Sequence, residues 1–172
     1  ISLVPKILDD EDNLVVEIFN SSPREYGGTS YGRLPVDLIG EGGVRLVGSG
    51  RLVLNGDSGF TGGVTVDSGE LVVDSEAALG VGDIEIRGGA LKRNSAAIHD
   101  QASLLLSDRL QDGAVHLGFT GTDYVHSLHL GDTVHRCGTW GGIGSEAAFI
   151  DPRFSGSGMP ELTAEPGEAC KS

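Results

Sequence analysis

The sequence predicts an all-β chain wound as a parallel β-helix, a β-solenoid with about twenty residues per coil. The first observation is a recurring block. Gly43-Val44-Arg45-Leu46 through Arg51-Leu52-Val53-Leu54, Gly63-Val64-Thr65-Val66 through Glu70-Leu71-Val72-Val73, and Asp83-Ile84-Glu85-Ile86 through Ala90-Leu91-Lys92-Arg93 align under one another. Three apolar columns result: Val44, Val64 and Ile84; Leu46, Val66 and Ile86; Leu52, Leu71 and Leu91. The second observation is a glycine turn inside each block, at Gly48-Ser49-Gly50, Ser68-Gly69 and Gly88-Gly89. The third is composition. With 28 glycines in 172 residues and 5% aromatics, the chain suits many tight turns around a narrow aliphatic core. One block cannot bury its own apolar face, so copies must stack. A two-sheet β-sandwich is the rival, because short, evenly spaced strands also predict that. Sandwich strands, however, need not repeat in sequence.

Each element follows in turn. Residues 1–40 read as N-terminal coils or a cap. Two apolar runs, at Leu3-Val4 and Leu14-Val15-Val16, flank the acidic stretch Asp9-Asp10-Glu11-Asp12. The second run alternates as a strand does. Ser21 to Gly32 reads as a polar loop, and Leu34 to Ile39 as a strand with Pro35 near its start. The regular repeats occupy residues 41–94. Beyond them, 95–160 read as C-terminal coils of looser period. Ser95 to Gln101 reads as a short helical turn or a wide loop. Strands follow at Ser103–Leu106, Ala114–Leu117 and Val125–Leu130, then a glycine-rich loop at Gly138–Gly144. Pro160, Pro166 and Gly167 predict an irregular tail, assigned to 161–172. No linker composition divides the chain, so a single domain is expected. At one coil per twenty residues the chain would make ~7–8 coils, a rod on the order of 35–40 Å long.

Composition excludes some functions. The net charge of −13 would be repelled by phosphate backbones, which argues against nucleic acid, and equally against anionic membrane surfaces. No long apolar run predicts insertion into a membrane. The chain begins at Ile1 with no signal-peptide pattern, as a mature N-terminus or an arbitrary boundary would. Two cysteines, Cys137 and Cys170, show no metal-binding spacing. In an oxidising compartment they would pair and tie the tail to the last coils; free thiols and intermolecular bridges are the alternatives.

A family resemblance lies on specific residues. Gly48-Ser49-Gly50-Arg51-Leu52-Val53-Leu54, then Phe60-Thr61-Gly62-Gly63, then Val64-Thr65-Val66-Asp67-Ser68-Gly69-Glu70-Leu71, resembles the autotransporter-associated β-strand repeat. Ser127-Leu128-His129-Leu130-Gly131, Gly138-Thr139-Trp140-Gly141 and Phe154-Ser155-Gly156-Ser157-Gly158 resemble the closing segment of such proteins, from which Cys137 departs. The resemblance covers roughly residues 40–160. It implies a right-handed β-helix in secreted or surface-displayed bacterial proteins, and it carries no catalytic residues. The membrane-inserted β-barrel common in full-length members is not expected in these 172 residues.

Candidate chemistry is sparse. Gly56-Asp57-Ser58-Gly59 echoes a serine-protease nucleophile segment, but it sits where the repeat demands a turn. His126, His129, His135 and Cys137 cluster in sequence. Strand parity puts His126 and His129 on opposite faces, so they are expected to face solvent separately rather than hold zinc. Asp9 to Asp12, and Asp67, Asp74 and Asp83 on successive turns, leave calcium as the one cofactor to consider. The last three are expected to splay into water. Asn20-Ser21-Ser22 is a glycosylation pattern. Tyr26, Tyr31, Tyr124 and Trp140 are the aromatics that would stack on sugars, with Trp140 and Tyr124 the best surface contacts; Trp140 capping the open core is the alternative.

The functional expectation is a non-enzymatic, extracellular or cell-surface structural solenoid. It would self-associate into a filament, sheath or matrix through terminal segments 1–20 and 145–172, because the ends of a β-helix present unpaired edges. The rivals are an adhesin passenger that binds glycan or protein on its side face, and a polysaccharide-active β-helix enzyme. An enzyme would gather basic and acidic residues on one face, whereas the 12 Lys and Arg are scattered along the sequence.

Overall fold

A computed structural model of the chain describes residues 14–18, 31–34, 43–48, 51–54, 61–74, 79–95 and 98–164. These form a parallel β-solenoid. Its strands come in pairs, one pair per coil: β1 (Leu14–Ile18) and β2 (Tyr31–Leu34), β3 (Val44–Gly48) and β4 (Arg51–Leu54), β5 (Val64–Val66) and β6 (Glu70–Val73). Next come β7 (Ile84–Ile86) and β8 (Ala90–Arg93), then β9 (Leu104–Leu106) and β10 (Val115–Leu117). The chain then runs through β11 (Thr122–Val125), β12 (Leu128–Leu130), β13 (Thr133–His135), β14 (Gly138–Gly141), β15 (Phe149–Ile150), β16 (Phe154–Gly156) and β17 (Met159–Leu162).

Odd-numbered strands of the early coils build the first sheet, in the order β1-β3-β5-β7-β9-β12-β13. Even-numbered ones build the second, β16-β10-β8-β6-β4-β2. A third sheet, β11-β17-β14-β15, appears only at the late coils. The register aligns the repeat. Val44 pairs with Val64, Val64 with Ile84, and Ile84 with Leu104. Leu46, Val66, Ile86 and Leu106 form a second column two residues on. In the second sheet Leu52, Leu71, Leu91, Val115 and Phe154 form one column. Side chains two apart on a strand share a face, so from Leu46 onward these columns converge on one buried core with Leu79, Ile98 and Ala102 at the corners.

The turns explain the glycines. Gly89 joins β7 to β8 with φ +68°, and a Cβ there would strike the Gly69 backbone of the coil below. Only glycine satisfies both the dihedral and the rung spacing of roughly 4.8 Å.

Several sequence expectations need correction. Among the described residues six rungs stack, against the seven or eight expected. Four turns keep the twenty-residue period, at Val44, Val64, Ile84 and Leu104, while longer steps separate Leu14 from Val44 and Leu104 from Leu128. Five rung spacings give a stack of about 25 Å. Tyr31 and Gly32 begin β2 rather than end a loop. Ser95 to Gln101 contains no helix among its described residues; it ends in a turn closed by Ala102 N donating to His99 O at 2.8 Å. The strand expected at Val125–Leu130 is two strands, β11 and β12, broken at His126-Ser127. Gly138–Gly141 is a strand, because β14 pairs antiparallel with β17. Pro160 lies within β17 and is buried. Met159 N and Thr163 N, on either side, donate to Gly121 O and Val125 O. Position 160 therefore faces away from β11, where the ladder to β14 has already ended and no donor is needed.

Candidate functional site

The outer surface carries ordered charge. Arg45 on β3 donates through Nε to Asp67 Oδ2 at 2.5 Å, and Arg87 Nη1 lies 3.6 Å from Asp67 Oδ1. Arg87 also grips Glu85, at 2.9 Å and 3.2 Å. The hydrogen bond and charge of Glu85, then of Asp67, hold the Arg87 guanidinium above its ordinary value. Asp67 thus bridges cations from the coils above and below. On the second sheet Arg51 Nε meets Glu70 Oε2 at 2.5 Å, again one rung apart. The arginines that look scattered in sequence fall into these ladders because the coil brings every twentieth residue together. Exposed pairs of this kind contribute little each.

The three aspartates do not stack: Asp74 and Asp83 are exposed to solvent, as expected, while Asp67 is half-buried and paired. Asp67 sits after the first sheet among arginines. Asp74 accepts from Asn94 Nδ2 at 2.5 Å. Asp83, before the first sheet, accepts from Ser103 N at 2.8 Å. They occupy different corners of the coil, and no group of three or more metal-ligating side chains converges among the described residues. Asp9 to Asp12, Asn20, Tyr26, Ser58 and Cys170 lie outside those residues.

The histidines separate. The chain turns back at Gly131, and β12 and β13 pair antiparallel with Leu128 opposite His135 and His129 opposite Val134. His129 and His135 therefore lie on opposite faces. His129 Nε2 contacts Ser127 Oγ at 3.3 Å, while the His135 ring packs 4.3 Å from Trp140. Of the two expectations for Trp140, a surface ring or a cap on the open core, the first fails: it is buried at 8% exposure and does not present a stacking face to sugar. Phe149 stacks on it at 4.8 Å, and its Nε1 donates to Cys137 O at 3.2 Å. It caps the core. Among the described residues Tyr124 is exposed, at 49%. Cys137 lies in the turn before β14 and is not a free thiol.

Two features escaped the sequence. His116 Nδ1 lies 3.0 Å from Ser155 Oγ, on neighbouring strands of the second sheet with Lys92 next in the column. This is a rung-to-rung contact on an open outer face, not a nucleophile and base at the bottom of a cleft. Inside the solenoid, Arg93 and Asp123 form a buried ion pair. The signal for Arg93 was present: strand parity puts position 93 under Leu54 and Val73, facing inward. Asp123 carried no such signal. A groove of about 470 Å³ runs along the turns between the first two sheets, lined by Gly69, Gly89, Arg109, Gln111 and Asp112 among others. No helix among the described residues is long and apolar enough to cross a membrane.

Comparison with known proteins places one segment. Residues 46–73 match the family described as the passenger-associated-transport-repeat, and they run from Leu46 within β3 to the end of β6, across two coils. No curated protein and no solved structure matches the chain.

Proposed function

Because the chain is a β-solenoid that carries an autotransporter-associated repeat, we propose that it is a secreted or surface-displayed passenger segment with a structural, non-catalytic role. The observation that carries this reading is a coincidence of sequence and geometry. The residues that match the repeat are those that stack in perfect register over two rungs. By family association such repeats belong outside the cell or on its surface. The described polar groups serve the coil: they ladder between rungs or lock turns, and none is gathered around an enclosed cleft.

The finer part of the proposal is self-association at an end of the stack. The two ends differ. At the late end, β13 runs antiparallel along the edge of the first sheet and β14 antiparallel to β17 inside the third, while the second sheet ends in β16, still parallel to β10. Of segment 145–172, expected as a cap or connector, the described residues 145–164 are largely spent on β15, β16 and β17. A reversed strand is a poor template for another parallel coil. We assign the contact to the early end, through segment 1–20, where β1 and β2 are the outermost strands described. Contact through one end only gives a closed pair rather than an open filament.

Light scattering on a sizing column, followed by electron microscopy, tests this directly. A dimer that persists in moderate salt or millimolar calcium, and is lost when residues 1–20 are deleted, is the expected result; screening the −13 charge should strengthen it. Filaments would return the late end to the interface. The groove beside Gly69 and Gly89 favours a second reading, an adhesin passenger that binds glycan or protein on its flank. A strict monomer at high concentration that binds a defined glycan would establish that reading instead.

A further inference from the structure

The inward columns of the regular coils are made of interchangeable aliphatic residues. Leu52 stacks on Leu71 and Leu91, and Val64 on Ile84 and Leu104. Shifting the chain by one coil would lay aliphatic on aliphatic again. Burial alone discriminates poorly between the native stacking and its displaced copies.

One position breaks the pattern. The column Leu54, Val73, position 93, Leu117 holds an arginine at its third place. Arg93 is 0% exposed. Its Nη2 donates to Asp123 Oδ2 on β11, 30 residues further along the chain. Asp123 also accepts from the Ile98 amide at 3.2 Å. The guanidinium lies over the Phe119 ring, 5.1 Å from its centre. Nε and Nη1 of Arg93 have no hydrogen-bond partner, and neither does the buried Ser95 hydroxyl. Burial acts against both charges: it pulls the guanidinium below its ordinary value and pushes the carboxyl above its own, while each partner opposes the shift in the other. An incompletely satisfied pair of this kind is a poor source of stability compared with the Leu and Val around it. It is, however, unique. Asp123 is the one buried carboxylate among the described residues.

We propose that the Arg93–Asp123 pair is a register lock, the contact that singles out the native stacking from those displaced by a coil. It stands where the third sheet begins, so it also fixes which coil receives β11. A displaced stacking leaves Arg93 buried among aliphatic side chains and Asp123 without its cation, and is penalised at both sites. The inference is independent of the proposed function, since it concerns only how this chain chooses one winding.

The test compares Arg93→Met, Asp123→Leu and the double variant in the full chain. Denaturant unfolding gives stability, and hydrogen-exchange mass envelopes of the β8 and β11 peptides report register. Each single variant should lower the folding equilibrium constant by roughly a hundredfold or more, because it buries an unpaired charge. The double variant should regain or exceed the original unfolding midpoint, yet show two envelopes where the original chain shows one. Singles as stable as the parent would overturn the proposal. So would a double variant with one parental envelope, or one that fails to fold, because a lock must be dispensable for stability.

Discussion

Between Val44 and Leu117 every strand pairs parallel to its neighbours, and the inward residues, apart from Arg93, are Val, Ile, Leu or Ala at repeating positions. Between Thr122 and Leu162 antiparallel pairings enter, the strands shorten to as few as two residues, and the aromatic side chains of Trp140, Phe149 and Phe154 join Val125, Leu128, Leu130 and Leu162. Each coil of the first region is supported by near copies of itself. In the second region the repeat stops, and antiparallel strands β13 and β14 take over from the parallel coils. This region relies on side chains that each occur once. The regular coils are therefore replaceable in kind, while the closing region depends on particular contacts.

The largest expected effect comes from charging the regular core. Val66→Asp or Leu71→Asp places a carboxylate where the parent side chain is 0% exposed, at a cost of several kcal/mol. Loss of the whole cooperative fold by circular dichroism is the expected outcome. A closing region that kept its hydrogen-exchange protection would show that the two regions fold separately. Trp140→Ala should cost about 3–5 kcal/mol, with faster exchange confined to β12–β15 while β5–β8 stay protected. Equal exchange in both regions would erase the distinction. A Cys137–Cys170 bridge, closing a loop of about thirty residues, should contribute roughly 3–4 kcal/mol to the closing region. Intact mass before and after reduction decides whether it forms within one chain; two alkylatable thiols in the native protein would remove it from the account.

The smallest effects should separate two glycines with similar backbone angles. Gly89, at φ +68°, lies against the Gly69 backbone, whereas Gly144, at φ +92°, has nothing within 4 Å of its missing Cβ. Gly89→Ala should cost roughly 2–3 kcal/mol, and Gly144→Ala about 1 kcal/mol from the dihedral alone. Matching thermal midpoints for the two variants would mean that rung spacing does not constrain the turns of the regular coils.

The same contrast governs what the sequence could reveal. Val44, Val64 and Ile84 announce their pairing because periodicity turns a distant contact into a local pattern. Gly138-Thr139-Trp140-Gly141 looks like a turn because its partner, Glu161-Leu162, has no periodic relation to it. Pro160 looks like a strand breaker because the direction of its missing donor depends on that unseen partner. Of the candidate site residues, the ladder arginines and Arg93 were open to discovery by reading polar positions down the columns. Trp140 was not. Its burial between His135 and Phe149 depends on how β13 and β15 fold back, and no spacing encodes that.

The reversal at β13 and β14 leaves the molecule with a direction. Its late end is finished in a fixed way, while its length is a matter of counting. A duplicated twenty-residue block placed between Val66 and Ile84 would meet matching columns on both sides and raise the early end by one step of about 4.8 Å. Reach can then be graduated like a ruler, without altering the terminus from which it is measured.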